Sequence, residues 1–237
     1  MPQVKGALDA VATMLMIVAS IAMIVAAVGS RTGPAAASRP VPPARPAVVV
    51  PTEAVPLANS ATLGQESAAV IVMIFSDFEC PYCRRFVTDG FPKFKAEFLD
   101  TGKAQFIFRH LPLDIHPTAF LAAQSAECAR RQNRFWPMHD ELFARPKEIP
   151  LTMQLIGGFA TKVGIESEEF EACVNKSLAS ADIKRDEDLA ARLGITGTPT
   201  FLVGRREGSA LRAVSIHRGM QTPERLGAAV RAAMAPK

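Results

Sequence analysis

The strongest chemical signal in this chain is a pair of cysteines two residues apart, Cys80-Pro81-Tyr82-Cys83. They directly follow residues 69–76 (AVIVMIFS), a continuous apolar, β-branched run that reads as a strand buried on both faces. A helix then opens at the Cys80 turn and runs past Phe94 to Leu99, with Phe91-Pro92 expected to kink or divide it. This spacing puts both sulfurs on the first helical turn, where they can close a small disulfide ring. Unpaired N–H groups and the helix dipole stabilise an anion at that first position, which lowers the pKa of Cys80. Pro81 suits the first turn because its missing N–H costs nothing there. Cys80 is therefore expected to be the attacking, solvent-facing thiol, and Cys83, one turn in, the resolving thiol. Half a zinc site would need a second close pair of ligands, and Cys128 and Cys173 do not form one. A purely structural role is disfavoured because so tight a loop constrains the unfolded chain little.

A second signal is Thr198-Pro199 ahead of the apolar stretch 200–203. Alone, it would read as an ordinary turn with a trans bond. Taken together, SDFECPYC, CARRQNRFWPMHDELF and GITGTPTFLV resemble the DsbA-like branch of the thioredoxin superfamily, over a span from roughly Leu63 to the end. The resemblance implies a thioredoxin-like α/β fold with an inserted helical domain, and thiol–disulfide exchange through Cys80 and Cys83 without metal or organic cofactor. It also implies that Pro199 is cis beside Cys80, and that Thr198 offers its backbone to an extended substrate strand. Many relatives carry a buried acid six residues before the first cysteine; here that position is Ile74, which leaves proton handling for Cys83 to water, Asp77, Glu79 or another group. Tyr82 replaces the histidine of the most strongly oxidising members and brings no positive charge, so a milder oxidant is expected. Cys128 and Cys173 are either buried free thiols or a structural pair. An oxidising compartment favours pairing, and some relatives pair cysteines at these positions.

The elements that must position these residues follow from periodicity. Residues 105–111 (QFIFRHL) form a second strand candidate, parallel to the first by the usual right-handed crossover. From about 116 to 193 the pattern is helical and reads as an insertion. Residues 200–203 and 211–217 read as a hairpin joined by a turn over 204–208. Thr222 is the expected N-cap of a last helix, with Pro223 at its first position. His139, Phe135, Trp136 and Phe143 read as packing residues, and Phe78 as either core or peptide-binding surface.

The 237 residues are 49% apolar, enough for a sizeable core. The formal charge of +4 is spread evenly, which gives no electrostatic footprint for nucleic acid. After a short segment 1–9, residues 10–28 are apolar or small throughout, long enough at 1.5 Å per residue for a transmembrane helix. The competing reading is a cleaved signal peptide, with Ala35-Ala36-Ala37 as the cleavage site. Residues 29–61 form a proline-rich linker, so the domain is expected over 62–237. These features, with the resemblance, imply a single-pass membrane protein whose catalytic domain lies in the periplasm or at the cell exterior. Its expected partners are reduced or misoxidised exported polypeptides and a quinone-linked membrane oxidase. No segment resembles a dimerisation domain, and a monomer is expected. The rival activities are a disulfide reductase or isomerase and a redox-inert peptide-binding chaperone.

Overall fold

A computed structural model describes residues 49–57 and 59–235. The transmembrane segment 10–28, the segment 1–9 and most of the linker lie outside the described residues. Among the described residues, no helix is long and apolar enough to cross a membrane.

The strands are β1 (Val55–Pro56), β2 (Ala61–Leu63), β3 (Val70–Ser76), β4 (Ala104–His110), β5 (Thr200–Glu207) and β6 (Ala210–Arg218). They form one sheet in the order β1-β6-β5-β3-β4-β2. β3 pairs parallel with β4 and antiparallel with β5, so it is central. That explains its unbroken apolar sequence: every residue of β3 is buried. Alternation sends Val70, Val72 and Ile74 into one core with Phe86, Phe94, Phe201 and Val230. Ile71, Met73 and Phe75 enter a second core, on the other face, with Ile107, Leu189 and Leu202.

Between β3 and β4 runs one helical stretch, here α1, built of Pro81–Arg85, a π-helical Phe86–Gly90, Phe91–Phe94 and a π-helical Lys95–Leu99. Pro92 has no N–H to give, and the ladder shifts just before it: the Phe91 N–H bonds to Phe86 O, five residues back. The helix is thus divided into segments at the proline. The insertion comprises α2 (Ala119–Arg130), α3 (Phe135–Ala144), α4 (Met153–Lys162), α5 (Ser167–Asn175) and α6 (Ser180–Arg192). The last helix among the described residues is α7 (Pro223–Met234), where the Thr222 side chain accepts a hydrogen bond from Arg225 N.

Two expectations need correction. Residues 204–208 are not a turn, because β5 continues to Glu207 and β6 begins at Ala210. Gly204 sits at a register shift in the hairpin, where a Cβ would lie 2.0 Å from the carbonyl oxygen of Arg212. The glycine therefore serves close strand approach. The folded unit also reaches into the presumed linker: Val55 is buried and pairs with Leu211, and Ala61 pairs with Phe108. Short edge strands with a proline leave little period-2 signal to read.

Candidate functional site

Cys80 is the N-cap of α1, in extended conformation (φ −66°, ψ 122°), and Pro81 occupies the first turn. β3 and a loop held by Asp77 aim it. Asp77 Oδ1 accepts from Glu79 N (2.8 Å), while Oδ2 accepts from Leu113 N (2.9 Å) and bonds His116 Nδ1 (2.6 Å). Glu79 faces the insertion: it accepts from Thr118 N (2.9 Å), from the Thr118 hydroxyl, and from Arg145 Nη2 (3.2 Å). Burial opposes its charge, but those Thr118 and Arg145 contacts hold Glu79 below the usual carboxylate range. Arg84 donates to the carbonyls of Phe143 and Arg145, so α1 and α3 are tied directly beside the cysteine turn.

The Thr198–Pro199 bond is cis, and Thr198 O lies 3.4 Å from Cys80 Sγ. That contact spans 118 residues of sequence and joins the start of β5 to the start of α1. Cys80 and Cys83 are both free thiols. Cys80 is only 3% exposed, against 0% for Cys83, so the expected solvent-facing first thiol is not found. The residue that does face solvent is Tyr82, 61% exposed.

The two sulfurs differ in what surrounds them. A hydrogen bond from the Cys83 thiol does most to lower the Cys80 pKa. Burial opposes this, while Thr198 and the N–H groups of Cys83 and Tyr82 add to it, bringing Cys80 down to about 5. Burial pushes Cys83 well above the ordinary thiol range, and sharing its proton with Cys80 pushes it further. The arrangement holds one thiolate at neutral pH, with the proton on the inner sulfur.

A family model described as thioredoxin matches residues 57–230, nearly three quarters of the chain. The chain belongs to the thioredoxin family. Among solved structures, the thioredoxin fold seen here superposes on alpha-DsbA1 of Wolbachia pipientis with a TM-score of 0.66 and 25% identity, covering 76% of this chain and 92% of that one. BdbD of Bacillus subtilis, in its oxidised form, gives 0.66 at 24% identity and covers 76% and 97%, a likeness of fold. Disulfide bond formation protein D of Bacillus subtilis is 30% identical over 146 residues, 60% of this chain and 66% of that protein. The Na(+)/H(+) antiporter NhaA 3 of Salinispora tropica is 34% identical over 173 residues, 73% of this chain. The thioredoxin-family chain spans about a quarter (24%) of that antiporter's length.

The remaining sequence candidates fall outside this turn. Cys128 in α2 and Cys173 in α5 are joined in a disulfide, buried within the insertion. Phe78 is core, packed on Phe108 and Phe143. His139 is buried among the same rings, where burial pulls its pKa down. Among the described residues, no group of three or more His, Cys, Asp or Glu is placed to hold a metal ion. Sequence reasoning missed the buried Arg109–Asp186 and His110–Glu127 pairs and the Glu79–Arg145 clamp. Charged residues ending an otherwise apolar strand, as in QFIFRH, were the available signal.

Proposed function

We propose that this chain is a thiol–disulfide oxidoreductase that forms disulfides in exported polypeptides, with Cys80 as the attacking thiol and Cys83 as its resolving partner. The observation that carries this reading is the split between the two sulfurs: Cys80 brought down to about 5, Cys83 raised by burial. A stabilised thiolate lowers the free energy of the reduced form, which makes the disulfide more oxidising. In the oxidised enzyme a substrate thiolate attacks Cys80 Sγ, the Cys80–Cys83 bond breaks, and Cys83 leaves and takes up a proton. A second substrate thiol, losing its proton to solvent, then attacks the substrate sulfur of the mixed disulfide and expels the Cys80 thiolate. The substrate is oxidised by two electrons and the enzyme is reduced by two.

The relatives named for disulfide bond formation support the oxidising direction, and the buried Cys128–Cys173 disulfide supports an oxidising compartment. The backbone of Thr198 and Pro199, beside Cys80, is the proposed docking edge for an extended substrate, and Tyr82 is the exposed residue of the cysteine turn. A quinone-linked membrane oxidase would return the enzyme to its disulfide form. Residues 10–28 would anchor a monomer whose domain lies on the extracytoplasmic side, with a proline-rich stretch between them. Equilibration of Cys80/Cys83 with glutathione tests the direction. A potential well above that of thioredoxin, yet milder than that of the strongest dithiol oxidants because Tyr82 brings no positive charge, is expected, together with oxidation of a reduced, unfolded protein. A potential near that of thioredoxin, with rapid insulin reduction, would assign a reductase instead.

A further inference from the structure

A carboxylate is a poor neighbour for a thiol that works as an anion. Glu79 directly precedes Cys80, and consecutive Cα atoms are about 3.8 Å apart, so its charge lies within about 11 Å of Cys80 Sγ. Beside a buried sulfur, solvent screens that distance incompletely, and an unbalanced negative charge disfavours the thiolate. Glu79 is itself charged at neutral pH, because its contacts with Thr118 and Arg145 outweigh the opposing effect of burial. Cys80 nevertheless comes down to about 5.

The insertion supplies the balancing charge. Glu79 Oε2 accepts from Thr118 N at 2.9 Å, and Oε1 accepts from the Thr118 hydroxyl and from Arg145 Nη2 at 3.2 Å. Thr118 is the N-cap of α2, a helix of 12 residues, and its own side chain makes no capping bond. The carboxylate from the cysteine turn therefore meets the positive end of that helix. Arg145, at the end of α3, is 7% exposed; its Nη1 donates to Ile149 O, and its Nε has no partner. A guanidinium buried in this way needs an anion, and Glu79 provides it. Arg84 and Glu148 add charge to the same cluster, while Asp77 is engaged by Leu113 N and His116. We propose that Arg145 is a positioning residue for the exchange reaction: by pairing with Glu79 it keeps the carboxylate's charge from acting on the Cys80 sulfur. The helical insertion thus sets the acidity of the attacking thiol through the residue beside it. The catalytic consequence rests on the exchange reading above, and the electrostatic one on the ion pair. With Glu79 unbalanced, Cys80 would be less acidic and the disulfide less oxidising.

The experiment titrates the reduced full chain by thiolate absorbance, with the first thiolate to appear assigned by alkylation and peptide mapping. Arg145→Met leaves Glu79 unbalanced and should raise the Cys80 midpoint by about half a pH unit. The reduction potential of the pair should fall with it. Glu79→Gln keeps the shape of the side chain and leaves Arg145 positive, so it should lower the midpoint by a similar amount. The double variant Glu79→Gln, Arg145→Met should return near the parent value. Each single variant breaks the same tie, so a purely structural role would move both midpoints in one direction. Shifts of the same sign in the two single variants, or no shift in either, would overturn the proposal. If Arg145→Met does not fold, Glu79→Gln decides: a lowered midpoint supports the role, and an unchanged or raised one overturns it. A parent enzyme inert toward thiols and disulfides would sink the exchange reading alone, because the midpoints would still report on the ion pair.

Discussion

Cys80 and Cys83 share a turn and a nearly equal burial, so their different chemistry is a matter of hydrogen bonds. Cys80 receives them from Cys83 and from the first N–H groups of α1, while Cys83 sits where charge is disfavoured. Alkylation of the reduced protein should therefore label Cys80 with a midpoint near pH 5, and Cys83 only above the ordinary thiol range; peptide mapping reads the order. The same shift couples to stability. A thiol whose pKa is depressed on folding adds stability that is fully present above its unfolded value and is lost as pH falls through the folded value. The reduced protein should lose stability progressively as pH falls from the ordinary thiol range toward about 5, relative to a Cys80→Ser variant. Urea unfolding across that window measures the difference.

At the scale of elements, buried charge holds the insertion against the sheet. Arg109 of β4 donates to Asp186 of α6 at 2.8 Å and also to the carbonyl of Pro56 in β1, and Asp186 accepts from His110 N at 3.0 Å. Both side chains are almost fully buried, and removing one partner strands the other's charge. Arg109→Met should cost about 3–5 kcal/mol in urea unfolding, whereas replacing both residues with apolar ones should cost much less. The site has its own tie of this kind, Glu79 to Arg145, with Arg84 reaching the same segment. Trp136 adds a further link by donating to Thr62 O at 2.7 Å, which fastens α3 to the edge strand β2.

At the scale of the whole molecule, the Cys128–Cys173 disulfide closes a span of 45 residues and clips α2 to α5, far along the chain from the strand-to-helix turn that activates Cys80. Loop-closure entropy alone assigns it about 4 kcal/mol. A Cys128→Ala, Cys173→Ala variant should melt earlier yet keep its exchange activity while folded. Mild dithiothreitol should reduce Cys80/Cys83 and leave this second pair intact. Loss of activity without loss of stability would make the second pair an electron relay. Cell fractionation with amino-terminal sequencing addresses the proposed anchor: an intact amino terminus in the membrane fraction is expected, and a soluble protein beginning near Ser38 would rule it out.

The sequence by itself determined what depends on near neighbours. The apolar run of β3, the cysteine spacing at a helix start, Pro92 in α1, and the Thr222 cap of α7 are all local patterns, and each stands where it was read. The Thr198-Pro199 and CPYC motifs were legible one by one, and their meeting could be expected only through family resemblance. Tertiary structure decided what depends on distant chain. It covers Cys80 through a contact spanning 118 residues, and it engages Asp77 and Glu79 with partners 36 to 66 residues away. It also turns Gly204 from a turn residue into a point of strand contact, and recruits Val55 into the sheet. A periodic pattern states which face is apolar but not which segment will cover it, and burial and hydrogen-bond partnership are properties of that cover.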